Sequence, residues 1–188
     1  MSIKYVVLGY LSWRPMTGYD IKKLIAESET LPWTANNNQI YRALVELHKD
    51  EWVSKTIEEQ VGAPSRHVYT ITEKGVQALK SWVVSEPEPP QTKKSFFTQL
   101  MWADCLDAQT LDELLEAYLN AVGEKLFFIR VQADEKPNMP ERTPRESYLW
   151  EMLHRNWIAQ YELELNWIRQ VRRELLEMGN GRQKATSR

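Results

Sequence analysis

The stretch Asn37-Asn-Gln-Ile-Tyr-Arg-Ala-Leu-Val-Glu-Leu47, followed by Trp52-Val-Ser-Lys-Thr-Ile57 and His67-Val-Tyr-Thr-Ile71, is where the hydrophobic period changes. In the first piece Ile40, Leu44 and Leu47 recur at i, i+4 and i+7, one apolar face of a helix. Ala35-Asn-Asn-Asn38 offers its cap. The next two pieces are β-branched and aromatic runs, separated by the polar stretch Glu58 to Arg66. They predict a β-hairpin with a long tip.

Toward the N-terminus, Ile3 to Leu11 is a short, mostly apolar helix. Thr17 caps a second helix carrying Tyr19, Ile21, Leu24 and Ile25, and Asp20 stands where the acid of a capping box belongs. Beyond the hairpin, Thr72 caps a helix running to about Val83. The predicted order is helix, helix, helix, hairpin, helix, which is a winged helix-turn-helix.

Ser85-Glu-Pro-Glu-Pro-Pro-Gln91 breaks the chain, because three Pro in a short polar run cannot continue a helix. Lys136 to Pro144 is a second break. We expect a DNA-binding unit over residues 1–84, a Pro-rich connection over 85–92, a helical dimerisation and effector unit over 93–180 and a frayed tail over 181–188. In the C-terminal unit Asp107 caps a helix from Thr110 to about Ala133, and a last helix runs from about Arg145 to Met178. Along that helix Trp150, Leu153, Trp157, Tyr161, Leu165, Ile168, Val171 and Leu175 step by threes and fours. The stripe outruns a small core, so a second copy is its expected partner, with Trp157, Tyr161, Leu165, Ile168 and Leu175 as dimerisation residues. The predicted fold class is therefore mainly α with one small β-hairpin.

Composition narrows the function. The chain has 188 residues, 43% hydrophobic and 27% charged, which is ordinary for a globular protein. One Cys, Cys105, excludes an intrachain disulfide and any Cys-cluster metal site, and it reads as a small buried hydrophobe. No window is apolar enough for a membrane span and no secretion signal is readable, so a cytoplasmic protein is expected. G-x-S-x-G, P-loop, G-x-G-x-x-G and H-E-x-x-H patterns are all missing, and His48, His67 and His154 have no ligand-like spacing. Neither an enzyme nor a cofactor is expected. Net charge is −2, and residues 1–82 carry 10 Lys and Arg against 9 Asp and Glu, so bulk charge argues for no partner.

A nucleic-acid case must rest on placement. With Ile40, Leu44 and Leu47 turned inward, the third helix shows Asn37, Asn38, Gln39, Tyr41 and Arg42 outward. Asn and Gln can bond the adenine edge in the major groove, and Arg the guanine edge. A cap beside a solvated face is the plainer reading, but three successive Asn exceed what one cap needs. Arg66 and His67 at the hairpin tip can lie along flanking backbone or in a narrow minor groove. Tyr19 can donate to a phosphate or pack under the third helix. Phe96, Phe97, Trp102, Trp150 and His154 are candidates for an effector pocket, although core or interface is the default for such rings.

These residues resemble the PadR-type transcriptional regulators over nearly the whole chain. Tyr5-Val-Val-Leu-Gly-Tyr-Leu11 and Met16-Thr-Gly-Tyr-Asp-Ile21 are similar to that family's opening helix and its G-Y-D/E-I motif. Pro32 to Leu44 resembles its recognition segment, with Arg42 where Pro is common, and Arg66 to Gly75 resembles its wing, with Ile71 for Leu. Ser95-Phe-Phe-Thr-Gln-Leu100 and Tyr161 to Ile168 resemble the longer, virulence-activator-like subgroup, which includes phenolic-acid-responsive repressors. The resemblance implies a homodimer on inverted-repeat operator DNA, acting as a repressor released by a small, phenolic or aromatic effector. The Pro-rich junction Glu86–Gln91 and the aromatic residues beyond it are why that effector is expected between the two units. The alternative is a winged helix that serves as a protein-interaction module without binding DNA, and the near-neutral N-terminal unit is its support.

Overall fold

A computed structural model describes residues 3–28, 37–60, 63–89, 94–135 and 142–186. The chain divides into two compact units, Met1–Glu88 and Pro89–Arg188.

In the first unit the elements run α1 (Ile3–Leu11), β1 (Met16–Thr17), α2 (Gly18–Glu27), α3 (Asn37–Lys49), β2 (Val53–Gln60), β3 (Ala63–Ile71) and α4 (Glu73–Val83). The apolar face of α3 turns inward as its spacing requires: Ile40, Ala43, Leu44 and Leu47 are buried with Val7, Leu8 and Leu11 of α1 and Ile21 and Ile25 of α2. The cap expected at Ala35 to Asn38 falls largely outside the described residues.

The exit from α3 is closed by its own backbone. Glu51 N–H donates to the His48 carbonyl at 3.1 Å and Trp52 N–H to the Leu47 carbonyl at 2.9 Å. Glu51 takes the left-handed conformation, φ 62°, that this pairing requires. The chain then enters β2 directly. Thr72 ties α4 to the same turn: its hydroxyl donates to the Glu51 carbonyl and accepts from Gly75 N–H.

The hairpin differs from the expectation of a long tip. β2 and β3 continue through most of that polar stretch, pairing Thr56 with Val68, Ile57 with His67 and Glu58 with Arg66. Arg66 and His67 are therefore strand residues. Glu58 and Glu59 are exposed, as are Ser65, Arg66 and His67, so no face of this part of the ribbon is buried. The alternation that betrays a strand in sequence has no cause there. A third strand was not foreseen either: Met16 pairs with Tyr69 and Thr17 with Val68, giving the antiparallel order β1-β3-β2. Two residues carry no period.

The second unit holds α5 (Ser95–Met101), a short 3-10 turn (Ala103–Cys105), α6 (Ala108–Glu135) and α7 (Pro144–Thr186). Asp107 caps α6, its Oδ1 accepting from Thr110 N–H at 2.8 Å. The helix α7 extends past the expected end at Met178 and through Gly179 and Gly181. A helical Gly costs about 1 kcal/mol relative to Ala, which slows a helix without stopping it, and no Pro follows. α6 and α7 run antiparallel, as Arg172 on Asp112 and Tyr118 on Glu164 require. Cys105 is exposed, contrary to the expectation of a buried thiol, because a short turn leaves it no wall to pack against.

Candidate nucleic-acid interface

The pairing of β1 with β3 sets the first turn of α2 beside the hairpin, because Gly18 follows Thr17 directly and Thr17 lies opposite Val68. Gly18 then lets α3 come close: a Cβ at that position would stand 2.6 Å from Tyr41 Cε1 and 3.2 Å from Leu44 Cδ1. Three elements thus meet around a shallow hollow of about 360 Å³. Tyr19 and Asp20 of α2, Tyr41 of α3, and Arg66, His67 and Tyr69 of β3 contribute to its walls.

The start of α2 is fixed by a complete capping box. Asp20 N–H donates to Thr17 Oγ1 at 3.1 Å, and Thr17 N–H donates to Asp20 Oδ2 at 2.9 Å. The Thr17 hydroxyl donates to the same carboxylate oxygen at 2.7 Å. Burial pushes the Asp20 carboxyl up, but the hydrogen bonds from Thr17 and the nearby charges of Arg14 and Arg66 outweigh it and hold the group below the usual carboxylate value.

Of the residues expected to read DNA, Tyr19 is 65% exposed and Tyr41 49%. Asn38, Gln39 and Arg42 are exposed on α3, and Arg66 and His67 are exposed on β3. The side chain of Asn37 lies outside the described residues. Tyr19, Tyr41, Arg66 and His67 share the hollow. What the sequence reading missed is the scaffold: Thr17, Gly18 and Tyr69, joined by a strand too short to be seen.

The residues expected to line an effector pocket do not gather in one place. The Phe96 ring is buried, stacked on Tyr118 at 3.6 Å between centroids, and Phe97 meets Trp167 edge to face. Trp102 is 71% exposed. Trp150 and His154 sit together elsewhere, His154 buried with Nδ1 on the Trp150 carbonyl at 2.9 Å and its ring edge-on to Trp157. Trp150 and Trp167 are separated by about 25 Å of helix at ~1.5 Å per residue.

A hollow of about 430 Å³ lies instead between α6 and α7, walled by Tyr118, Ala121, Val122 and Tyr161 with Lys94 and Lys125 at its rim. Glu164 accepts from the Tyr118 hydroxyl at 2.6 Å and pairs with Lys94. Burial, then the bond to the Glu164 carboxylate, raises the Tyr118 hydroxyl well above its ordinary value.

Of the expected dimerisation residues, Ile168 is fully enclosed and Leu165 is 6% exposed within this chain, both packed on α6. Trp157, Tyr161 and Leu175 are half-buried. Among the described residues no helix is long and apolar enough to cross a membrane.

Residues 7–81 match the transcriptional regulator PadR-like family, and residues 92–176 match the virulence activator alpha C-terminal family. The chain is 29% identical over 125 residues to the negative transcriptional regulator PadR of Bacillus subtilis (strain 168), spanning 66% of this chain and 69% of that protein. Its fold matches the crystal structure of Bacillus subtilis PadR in complex with operator DNA with a TM-score of 0.79 at 22% identity, over 92% of this chain and 98% of that one. It matches the crystal structure of Bacillus subtilis PadR in complex with p-coumaric acid with a TM-score of 0.73 at 21% identity, over the same shares of the two chains. The two family matches, one on each unit, agree with the winged-helix architecture: the chain carries a domain of the transcriptional regulator PadR-like family over residues 7–81 and a virulence activator alpha C-terminal domain over residues 92–176.

Proposed function

We infer that the protein is a homodimeric repressor that binds an inverted-repeat operator and is released by a small aromatic effector. The observation that carries DNA reading is the exposed row Asn38, Gln39, Tyr41 and Arg42 on α3, beside a hollow shared with Tyr19, Arg66 and His67. In this reading α3 enters the major groove, where the amides of Asn38 and Gln39 and the guanidinium of Arg42 bond base edges. Asn37, at the start of the same helix, is a further candidate for base contact. Tyr19, Arg66 and His67 bond flanking phosphates and fix the register. Neutral amides supply readout without the net charge that the unit lacks.

Dimerisation runs along α6 and α7. Trp157, Tyr161 and Leu175 contribute, and Phe127, Phe128 and Leu163, 61%, 52% and 71% exposed, offer further apolar area. Support for an effector is the hollow between α6 and α7, within the 300–1,000 Å³ range of ligand sites. Its two tyrosines suit a flat ring, and Lys94 and Lys125 suit a carboxylate at the rim. Phe96 stacks on Tyr118 of this hollow; Phe97, Trp102, Trp150 and His154 are not among its lining residues. The relative crystallised with p-coumaric acid supports the same ligand class.

The test is fluorescence anisotropy of palindromic and scrambled duplexes at two salt concentrations, followed by a panel of phenolic acids. Tighter, salt-dependent binding to a palindrome that a phenolic acid reverses is the expected result. A protein-interaction module would give weak binding, equal on both duplexes.

A further inference from the structure

Arg66 lines the hollow on the N-terminal unit together with Asp20, and Glu58 stands opposite it in the β ladder. Glu58 is its direct partner across the β2–β3 ladder, so both side chains leave the same face of the ribbon with Cβ atoms about 5 Å apart. Asp20 lies in the wall of the same hollow, held there by Thr17, and its carboxyl feels the charge of Arg66. A phosphate entering the hollow meets Arg66 only in competition with these two anions. The rest of the unit does little to offset them, since residues 1–82 carry 10 cationic side chains against 9 anionic ones.

We propose that Asp20 and Glu58 compete with DNA phosphate for Arg66 and so hold down the sequence-independent affinity of this regulator. The inference rests on the DNA-binding reading above. Its consequence is specificity: base contacts from α3 are untouched by the two carboxylates, whereas backbone attraction, the source of non-specific binding, is weakened. A regulator with weak backbone attraction is held less by competing genomic DNA, so more of its binding depends on readout by α3.

The experiment measures binding of the full-length protein to a mixed-sequence duplex across a salt series, for wild type, Asp20→Asn/Glu58→Gln, Arg66→Ala and the triple variant. Asn at position 20 still accepts from Thr17 N–H, and Glu58 is exposed, so the double variant keeps the fold; circular dichroism checks this. The double variant is expected to bind about 10-fold tighter, with the log–log salt slope steeper by about one phosphate, ~0.9. In the Arg66→Ala background the same two changes should tighten binding less than about 3-fold, since Glu58 has then lost its cation and Asp20 keeps the nearby charge of Arg14. Equal tightening with and without Arg66 would overturn the proposal, because the carboxylates would then act only through net charge. An unchanged slope in the double variant would overturn it also. Wild type and double variant both without salt-dependent binding would sink the DNA-binding reading itself, and this inference with it.

Discussion

Gly18 and Tyr41 are packed so closely that the missing Cβ of one is the space occupied by the ring of the other, at 2.6 Å. The contact joins the first turn of α2 to the outward face of α3. Tyr41 is half exposed, so its ring can swing away at modest cost. Gly18→Ala is therefore expected to lower stability by only about 1 kcal/mol, at the low end of overpacking. DNA affinity should fall by more than that, because the displaced ring fills the hollow. Urea titration and anisotropy on the same preparation separate the two.

Gly75 has no such escape. A Cβ there would stand 2.1 Å from the Trp52 carbonyl oxygen and 2.9 Å from an Ile71 carbon, and the carbonyl is already bonded by Thr72 N–H. Gly75→Ala should cost about 3 kcal/mol or more, at the upper end of overpacking, and lower Tm by well over 5 °C. A loss equal to that of Gly18→Ala in thermal unfolding would contradict this close approach.

Thr17 and Asp20 give a pH signature. The Asp20 carboxyl is held below its unfolded value, so its contribution to stability is fully present above about pH 4 and is lost as pH falls through the lower folded value. Wild type should lose more stability than Asp20→Asn as pH drops below about 4, and the two should run parallel above about pH 5. Denaturant midpoints across that range decide it. Thr17→Ala should cost about 1 kcal/mol at neutral pH, the usual loss of an N-cap.

Ile168 and Phe127 should behave oppositely. Ile168 is fully buried inside one subunit, so Ile168→Ala should cost about 2–5 kcal/mol in chemical unfolding. Phe127 is 61% exposed, so Phe127→Ala should leave the subunit's own packing intact and raise the dimer dissociation constant in sedimentation equilibrium. Unchanged dimerisation would remove that part of α6 from the interface.

Much of the winged helix was legible from residue order. Ile40, Leu44 and Leu47 had to bury one face of α3, and that left Asn38, Gln39, Tyr41 and Arg42 on the other. Thr17 with Asp20, Thr72 and Asp107 announced helix starts, because capping depends on atoms three residues apart in the chain. The stripe on α7 announced a long amphipathic helix for the same reason: its signal is local. Its partner was not legible, since periodicity marks a face to be covered and says nothing of what covers it. Tertiary packing gave Leu165 and Ile168 to α6.

The interface itself was decided by contacts distant in sequence. Thr17 opposite Val68 depends on residues 51 positions apart, and neither two-residue β1 nor an exposed ribbon carries a hydrophobic period. The exposure of Cys105 and the separation of Phe96 from His154 are of the same kind, because burial is a property of the neighbours a residue acquires. Sequence alone determined where most of the helices begin and which of their faces must be covered, through backbone capping and apolar spacing. Only the folded chain decided which charges meet Arg66, because electrostatic partnership depends on distance in space.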